Sequence, residues 1–249
     1  MSPVLKDVAS ALDFSAVRRV YKDVLLEEDG YVVKQIVSKQ EKRAALRLRH
    51  RIFCDELKWV LRTDQGMESD EYDGDSVFFG VFDRDKKLIS FLRLIMPDNR
   101  FMMEKEFLSL VDPGHRIRKE ADTAEISRLC VAPEVRADHR DGNFGVHKIS
   151  LTLFKGVYHW CRLNRIRYLY AVTELKVYRL YCLKGFPYRP LGKPQTMPDG
   201  VTIIAVMLDW QEFASANAVK RVELLDWFNR TQAAPAPSQL RPHAPGLMH

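Results

Sequence analysis

One arginine occupies a position that helical geometry would give to leucine. In 41-EKRAALRLRHRIFCDEL-57 the helical period places Ala45, Leu46, Leu48, Ile52 and Phe53 on one apolar stripe. At about 100° per residue Arg49 falls in the middle of that stripe, whereas Arg47 and Arg51 point the opposite way. A guanidinium in a core face is costly unless an anion meets it. Any fold for this chain must therefore bring carboxylates to that helix.

The acidic segment 68-ESDEYDGD-75 follows about twenty residues later and supplies them, with Asp70 and Asp73 as candidate acceptors. Arg93 is a second misplaced charge. In 88-LISFLRLI-95 the period of two aligns Ile89, Phe91, Arg93 and Ile95 on one face. Arg128, in 125-EISRL-129 beside Ile126 and Cys130, is a third. Each has a plain alternative: Arg93 snorkelling to water at a strand end, Arg128 pairing with Glu125, and Asp70 and Asp73 lying in a solvated acidic turn. The functional alternative is a fixed arginine–carboxylate cluster, with Asp70, Asp73 and Glu125 as acceptors, that holds an amine-bearing small molecule.

Composition bounds the rest. The chain has 249 residues, 46% hydrophobic and 29% charged, which suits one globular domain with appended ends. No apolar run is long enough for a membrane span, so no integral membrane association is expected. The start of the chain lacks the layout of a secretory signal, and a cytoplasmic protein is expected. Cys54, Cys130, Cys161 and Cys182 form no C-x-x-C, and the seven histidines show no ligand spacing; no metal is implied. The net charge of +6 suits an acidic protein partner better than nucleic acid, because the basic residues are dispersed and no nucleic-acid-binding motif accompanies them.

Along the chain, residues 1–30 read as a helical extension ending at Gly30, and 31–38 as a strand. A helix at 39–57 precedes a hairpin of strands 77–83 and 87–97 about the turn Asp83–Lys86. A loose segment 98–122 leads to a strand at 124–133, a charged glycine-containing turn and a helix at 146–164. Strand 167–173, helix 174–184, the proline-rich break 185–194, strand 201–210 and a helix at 211–229 follow. The tail 231–249, with four prolines, reads as disordered, which leaves 31–230 as the working domain. The order predicts an α/β fold with a mixed, largely antiparallel central sheet flanked by helices. The strand–turn–helix at 124–164 resembles the N-acetyltransferase arrangement for a pantetheine donor, although 140-RDGNFG-145 is a degenerate version of its phosphate loop.

The ordered set is more specific than any member of it. R-x-x-x-F (Arg49, Phe53), Trp59, D-x-x-D (Asp70, Asp73), Arg93 in a strand and E-x-S-R (Glu125, Ser127, Arg128) together resemble the acyl-homoserine-lactone synthases, the autoinducer synthases of quorum sensing. Phe107 resembles a further aromatic that the family keeps. The likeness covers roughly 31–210; the chain departs from the family in its longer N-terminal part, its proline-rich 185–194 and its C-terminal helix and tail. The resemblance implies an N-acetyltransferase-like fold and an acyl group taken from acyl carrier protein, less often acyl-CoA. It also implies S-adenosylmethionine as a substrate and not a cofactor.

In that reading Glu125, directly or through water, accepts the amine proton, and a backbone N–H between Leu129 and Val131 binds the oxyanion. Arg49, Asp70, Asp73 and Arg93 form the electrostatic cluster, with Arg128 beside it, and Phe53 and Trp59 wall the pocket. Ordinary core packing is the plain alternative for those two aromatics. For Glu125 and Arg128 to serve one site the strand must bulge, since their separation is odd. An acyl channel is expected along Ile149–Trp160, Ala171–Thr173 and Ile203–Val206, with the Thr173 hydroxyl available to a 3-oxo group. Arg162, Arg165, Lys176, Arg179 and Lys184 are candidates for carrier-protein contact. Two alternatives remain: an N-acyl amino acid synthase acylating another amine, and a basic binding module with an inactive acyltransferase fold.

Overall fold

The dipeptide Asp29-Gly30 decides how the sheet begins. Strand β1 (Leu25–Glu28) pairs antiparallel with β2 (Tyr31–Gln35) in a register that puts Glu28 opposite Tyr31, leaving a two-residue turn. Asp29 and Gly30 have φ of 51° and 82°, the left-handed pair that a tight hairpin of this hand requires. The computed structural model describes residues 21–136 and 148–231. The expected helical extension is therefore corrected over 25–28: Gly30 ends no helix there but turns a hairpin. The remainder of that expectation, residues 1–20, lies outside the described residues, as do 232–249 of the tail and the degenerate phosphate loop.

Helix α1 (Lys39–Arg49) is capped by Ser38, whose hydroxyl accepts from the Glu41 N–H. It continues as a π-helix over His50–Glu56, so the predicted helix 39–57 is present with its last turns widened. The acidic segment forms a short 3₁₀ turn, Glu71–Asp73. Then come β3 (Val77–Phe82), β4 (Leu88–Ile95), α2 (Met102–Lys105), β5 (Thr123–Val131), α3 (Pro133–Arg136) and α4 (Lys148–Leu163). Strand β6 (Tyr168–Glu174), α5 (Leu175–Leu183), the two-residue strands β7 (Arg189–Pro190) and β8 (Gln195–Thr196), and β9 (Thr202–Asp209) follow. The expected last helix is two helices, α6 (Trp210–Lys220) and α7 (Val222–Asn229), broken at Arg221.

The sheet order is β1-β2-β3-β4-β5-β6-β9-β7, with β8 also on β9. The β5–β6 pair is parallel and the other pairs are antiparallel, which is the mixed, largely antiparallel sheet expected. Two faces follow from the pairing. Arg93 pairs with Ser127 and Ile95 with Glu125, so these four share the face that α1 covers and to which α2 bonds through Glu125. Phe79 pairs with Leu92 on the other face, where its ring meets Trp160 of α4 edge-on with centroids 5.4 Å apart. The parallel ladder stops at Ile126 and Ala171, whereas β5 continues along β4 to Val131 and β6 continues along β9 to Glu174. The two strands thus splay into a wedge at their carboxyl ends, the side from which sheets of this kind take ligands.

The N-terminal hairpin and C-terminal helix close over α4 through a buried charge. Lys155, 1% exposed, donates to Glu28 at 2.5 Å; Glu28 also accepts from the Trp227 indole N–H at 3.0 Å. The ammonium lies 4.6 Å from the Trp227 ring centroid. Removing one partner strands the other charge, so Lys155→Met is expected to cost about 3 kcal/mol in urea unfolding. A loss below about 0.5 kcal/mol, the ordinary scatter of surface substitutions, would show that this clasp does not hold the ends together.

Candidate active site

Three inward arginines need three carboxylates, and the acidic segment provides all of them. Asp70 caps the 3₁₀ turn, accepting from Tyr72 N–H at 3.0 Å, while Asp73 accepts from the Asp70 N–H at 2.9 Å. This reciprocal capping turns both carboxylates inward, in place of the solvated acidic turn that composition alone would favour. The Glu68 N–H donates to the Leu46 carbonyl at 3.0 Å, which docks the segment on α1.

Arg49, fully buried, ion-pairs with Glu68 and donates to Asp73 at 2.6 Å. Arg93, also fully buried, meets Asp70 and Asp73, with bonds of 3.0 Å to Asp70 Oδ2 and 2.5 Å to Asp73 Oδ1. Its Nε donates to Ser127 Oγ at 2.9 Å, so the predicted serine orients a guanidinium. Arg128 bonds Glu68 at 3.0 Å and lies 2.9 Å from Asp70 Oδ2. The cluster is three guanidiniums against Glu68, Asp70 and Asp73, and is charge-balanced. That balance is what makes burying it tolerable. Arg49 Nη2 is buried without a hydrogen-bond partner, 3.7 Å from Asp70 Oδ2.

The electrostatics follow. For Glu68, burial pushes the carboxyl up, but bonds from Arg49 and Arg128 outweigh it and hold the group below its ordinary range. Asp70 behaves alike, with Arg93 the main offset to burial. Both carboxylates stay charged at neutral pH.

The third acceptor is Glu68, where the sequence points to Glu125. The structure puts Glu125 to different use. Its carboxylate, 1% exposed, accepts from the backbone N–H groups of Met102 at 2.6 Å and Met103 at 3.0 Å. Burial pushes Glu125 up to about 7, against the opposing pull of those two N–H groups. The Met102 sulfur in turn accepts from Arg93 Nη2 at 3.2 Å, linking α2 to the charge cluster. The signal for Glu68 was present: it stands at the head of the segment and has the longer reach needed to meet two arginines.

The expected bulge is there. One residue separates Phe91 from Arg93 on β4, whereas two separate Ser127 from their Cys130 counterpart on β5, and Arg128 has φ 57°. The extra residue turns Arg128 toward Glu68 and Asp70, and not toward Glu125. Its guanidinium lies 5.4 Å from the Phe53 ring centroid, and Phe53 meets Trp59 at 6.2 Å. Trp59 is 44% exposed, whereas Phe53 is buried in the main core. Phe107 packs against a second apolar cluster with Phe101, Met103 and Leu110. Thr173 shares its face with Ile204, on the α4 side of the sheet beside the wedge. From Ser127 to Val131 the β5 backbone has β4 on one edge and no β6 pairing on the other, which is the stretch expected to face a thioester oxygen.

A parallel pair that splays beside a bulged strand, with a buried charge cluster on one face, defines an acyltransferase of N-acetyltransferase-like fold. The chain belongs to the autoinducer synthase family, whose model matches residues 34–219. It is 29% identical over 171 residues to a probable acyl-homoserine-lactone synthase of Sinorhizobium fredii, covering 68% of this chain and 80% of that one. It is 28% identical over 159 residues to the acyl-homoserine-lactone synthase of Vibrio anguillarum, covering 64% and 80%. Among solved structures it resembles BjaI, a CoA-dependent acyl-homoserine lactone synthase determined with SAM and isopentyl-CoA. There the TM-score is 0.61 at 25% identity, covering 72% of this chain and 82% of that one. These relatives make the chain an acyltransferase of the acyl-homoserine-lactone synthase type.

Proposed function

We propose that this chain transfers an acyl group from acyl carrier protein to the amine of S-adenosylmethionine and closes the lactone. The observation that carries the reading is the charge-balanced cluster beside the β5–β6 wedge: a polar compartment for a zwitterionic acceptor next to a gap for a thioester. The amine nitrogen attacks the thioester carbonyl; the C–N bond forms, the C–S bond breaks and the sulfur leaves as a thiolate, which takes up the proton that the amine loses by way of the base. Glu125 receives the amine proton, and a backbone N–H between Leu129 and Val131 meets the oxyanion. The acceptor's carboxylate oxygen then attacks its own γ-carbon, the carbon–sulfonium bond breaks, and neutral methylthioadenosine departs. That step needs a correctly folded substrate more than a second acid or base.

Phe53 and Trp59 wall the acceptor, and Phe107 packs on the apolar cluster that holds Met102 and Met103 of α2. Lys176 and Arg179 are exposed on α5, which begins at the wedge, and they are the cations best placed for an acidic carrier protein; Arg162 and Arg165 lie at the far end of α4, and Lys184 just past the end of α5. No helix among the described residues is long and apolar enough to cross a membrane, and a cytoplasmic location suits this donor. The test is incubation with acyl-carrier-protein or acyl-CoA thioester, once with S-adenosylmethionine and once with mixed amino acids. Methylthioadenosine and an acyl-homoserine lactone are expected in the first, with faster turnover of the carrier-protein donor. An amino-acid amide without methylthioadenosine would replace this reading with N-acyl amino acid synthesis. Equal or faster turnover of acyl-CoA would reassign the donor.

A further inference from the structure

Beyond Ile126, β5 is laddered to β4 alone, because its pairing with β6 ends there. The stretch proposed to meet the oxyanion, Leu129 to Val131, is therefore held along one edge only. Its next restraint lies just past its end. Ala132 is fully buried and donates its N–H to the Ile89 carbonyl at 2.8 Å, and α3 begins at the following residue. Whatever fixes α3 fixes the end of β5.

Two forked ion pairs fix it. Arg136 of α3 donates to Glu56 through both terminal nitrogens, at 2.7 and 2.5 Å. Glu134 of α3 accepts from Arg51 in the same way, at 2.7 and 3.3 Å, and from Lys87 at 2.9 Å. Each element gives one arginine and one glutamate, so the exchange sets orientation as well as distance. The bond from Arg51 is the main cause that holds the Glu134 carboxyl down at about 2, which keeps this pair charged at neutral pH.

The π-helix explains why both bridges can form. At about 100° per residue, an α-helix would set Arg51 and Glu56 roughly 140° apart around its axis. Here the bonds run five residues back, as from the Leu57 N–H to the Ile52 carbonyl at 2.8 Å, so residues five apart stack on one face. Arg51 and Glu56 thus reach α3 together from the outside of the π-helix. Phe53, on the same π-helix, is buried beside the Arg128 guanidinium.

We infer that the two bridges form a clamp that sets the oxyanion stretch of β5 against the acceptor wall, which makes Arg51, Glu56, Glu134 and Arg136 positioning residues for acyl transfer. The inference rests on the acyl-transfer reading above and not on which amine accepts. The four side chains are 30–46% exposed, and pairs of that kind add little to stability. Their effect is on geometry, where a displacement of about 1 Å can cost on the order of 100-fold in rate.

The experiment measures steady-state thiol release by the full chain from an acyl-carrier-protein thioester, with S-adenosylmethionine and mixed amino acids both present. Arg51→Gln combined with Arg136→Gln breaks both bridges and is expected to lower kcat roughly tenfold, with the donor KM within about twofold and the urea midpoint unchanged. Within one bridge, adding Glu56→Gln to Arg136→Gln is expected to lower kcat no further, since the partner is already lost. Unchanged kcat in the first double variant overturns the inference. So does a loss confined to the donor KM, which would make these charges a docking contact. A fall in kcat matched by a fall in the urea midpoint also overturns it, by making them a brace for the fold. No thiol release from the unmodified protein would remove the acyl-transfer reading, and the clamp with it.

Discussion

Arg93→Met is expected to abolish detectable acyl transfer and to destabilise the fold by about 3–5 kcal/mol. Arg93 is fully buried and touches Asp70, Asp73, Ser127 and Met102. Methionine fills much the same volume but strands two carboxylates that burial already disfavours, and the acidic turn then has nothing to hold it inward. Arg93→Lys is expected to recover part of the stability and little of the activity, because an ammonium cannot reproduce a fork aimed at four partners. Urea unfolding and product release, measured on both variants, separate the two effects. Normal turnover by Arg93→Met would mean that the cluster serves neither fold nor chemistry.

The second large effect concerns Glu125. With its carboxyl pushed up to about 7, the charged form appears only as pH rises through that value. Acyl transfer is therefore expected to climb with pH through about 7 and level off. Glu125→Gln is expected to lower kcat by about 10²- to 10⁴-fold and to erase that limb. The amide also sets an NH₂ against the Met102 or Met103 N–H, so a modest stability loss accompanies it. A group that merely holds α2 would lose stability and keep the pH limb, which distinguishes positioning from proton transfer.

The stability signs differ within the site. Glu125, raised in the folded protein, binds a proton more tightly there than in the unfolded chain, so its contribution is lost as pH rises through about 7. Glu68 and Asp70, held low, contribute above the ordinary carboxylate range, and that contribution is lost as pH falls through their depressed values. Acid unfolding is expected to be shallower once Glu68 is replaced.

Periodicity made the arginines legible. Arg49 in an apolar helix stripe and Arg93 in an apolar strand face are violations of binary pattern, and violations of that kind concentrate at functional sites. The odd spacing of Glu125 and Arg128 requires a bulge if the two serve one site; the bulge is present, and it turns Arg128 to Glu68 and Asp70. Pairing was not legible, because which carboxylate meets which guanidinium depends on loop geometry that carries no period. Sequence alone therefore offers Glu125 as an acceptor, where the structure has Glu68. The first strand is hidden because valines near helical spacing run into Asp29-Gly30, where glycine can stop a helix and aspartate-glycine can equally turn a hairpin, as it does here. The aromatic core contact of Phe154, Tyr181 and Phe186 joins residues that only the packing of two helices unites.

The most direct measurement of the central claim, that three guanidiniums and three carboxylates form one catalytic compartment, is methylthioadenosine release by Glu68→Gln. Glu68 bonds both Arg49 and Arg128, and its replacement leaves the cluster with one uncompensated positive charge at almost unchanged shape. The account predicts a fall in kcat/KM of roughly 100-fold or more with native far-UV circular dichroism, as expected when a pre-organised electrostatic group is removed. Turnover equal to that of the unmodified protein would contradict it.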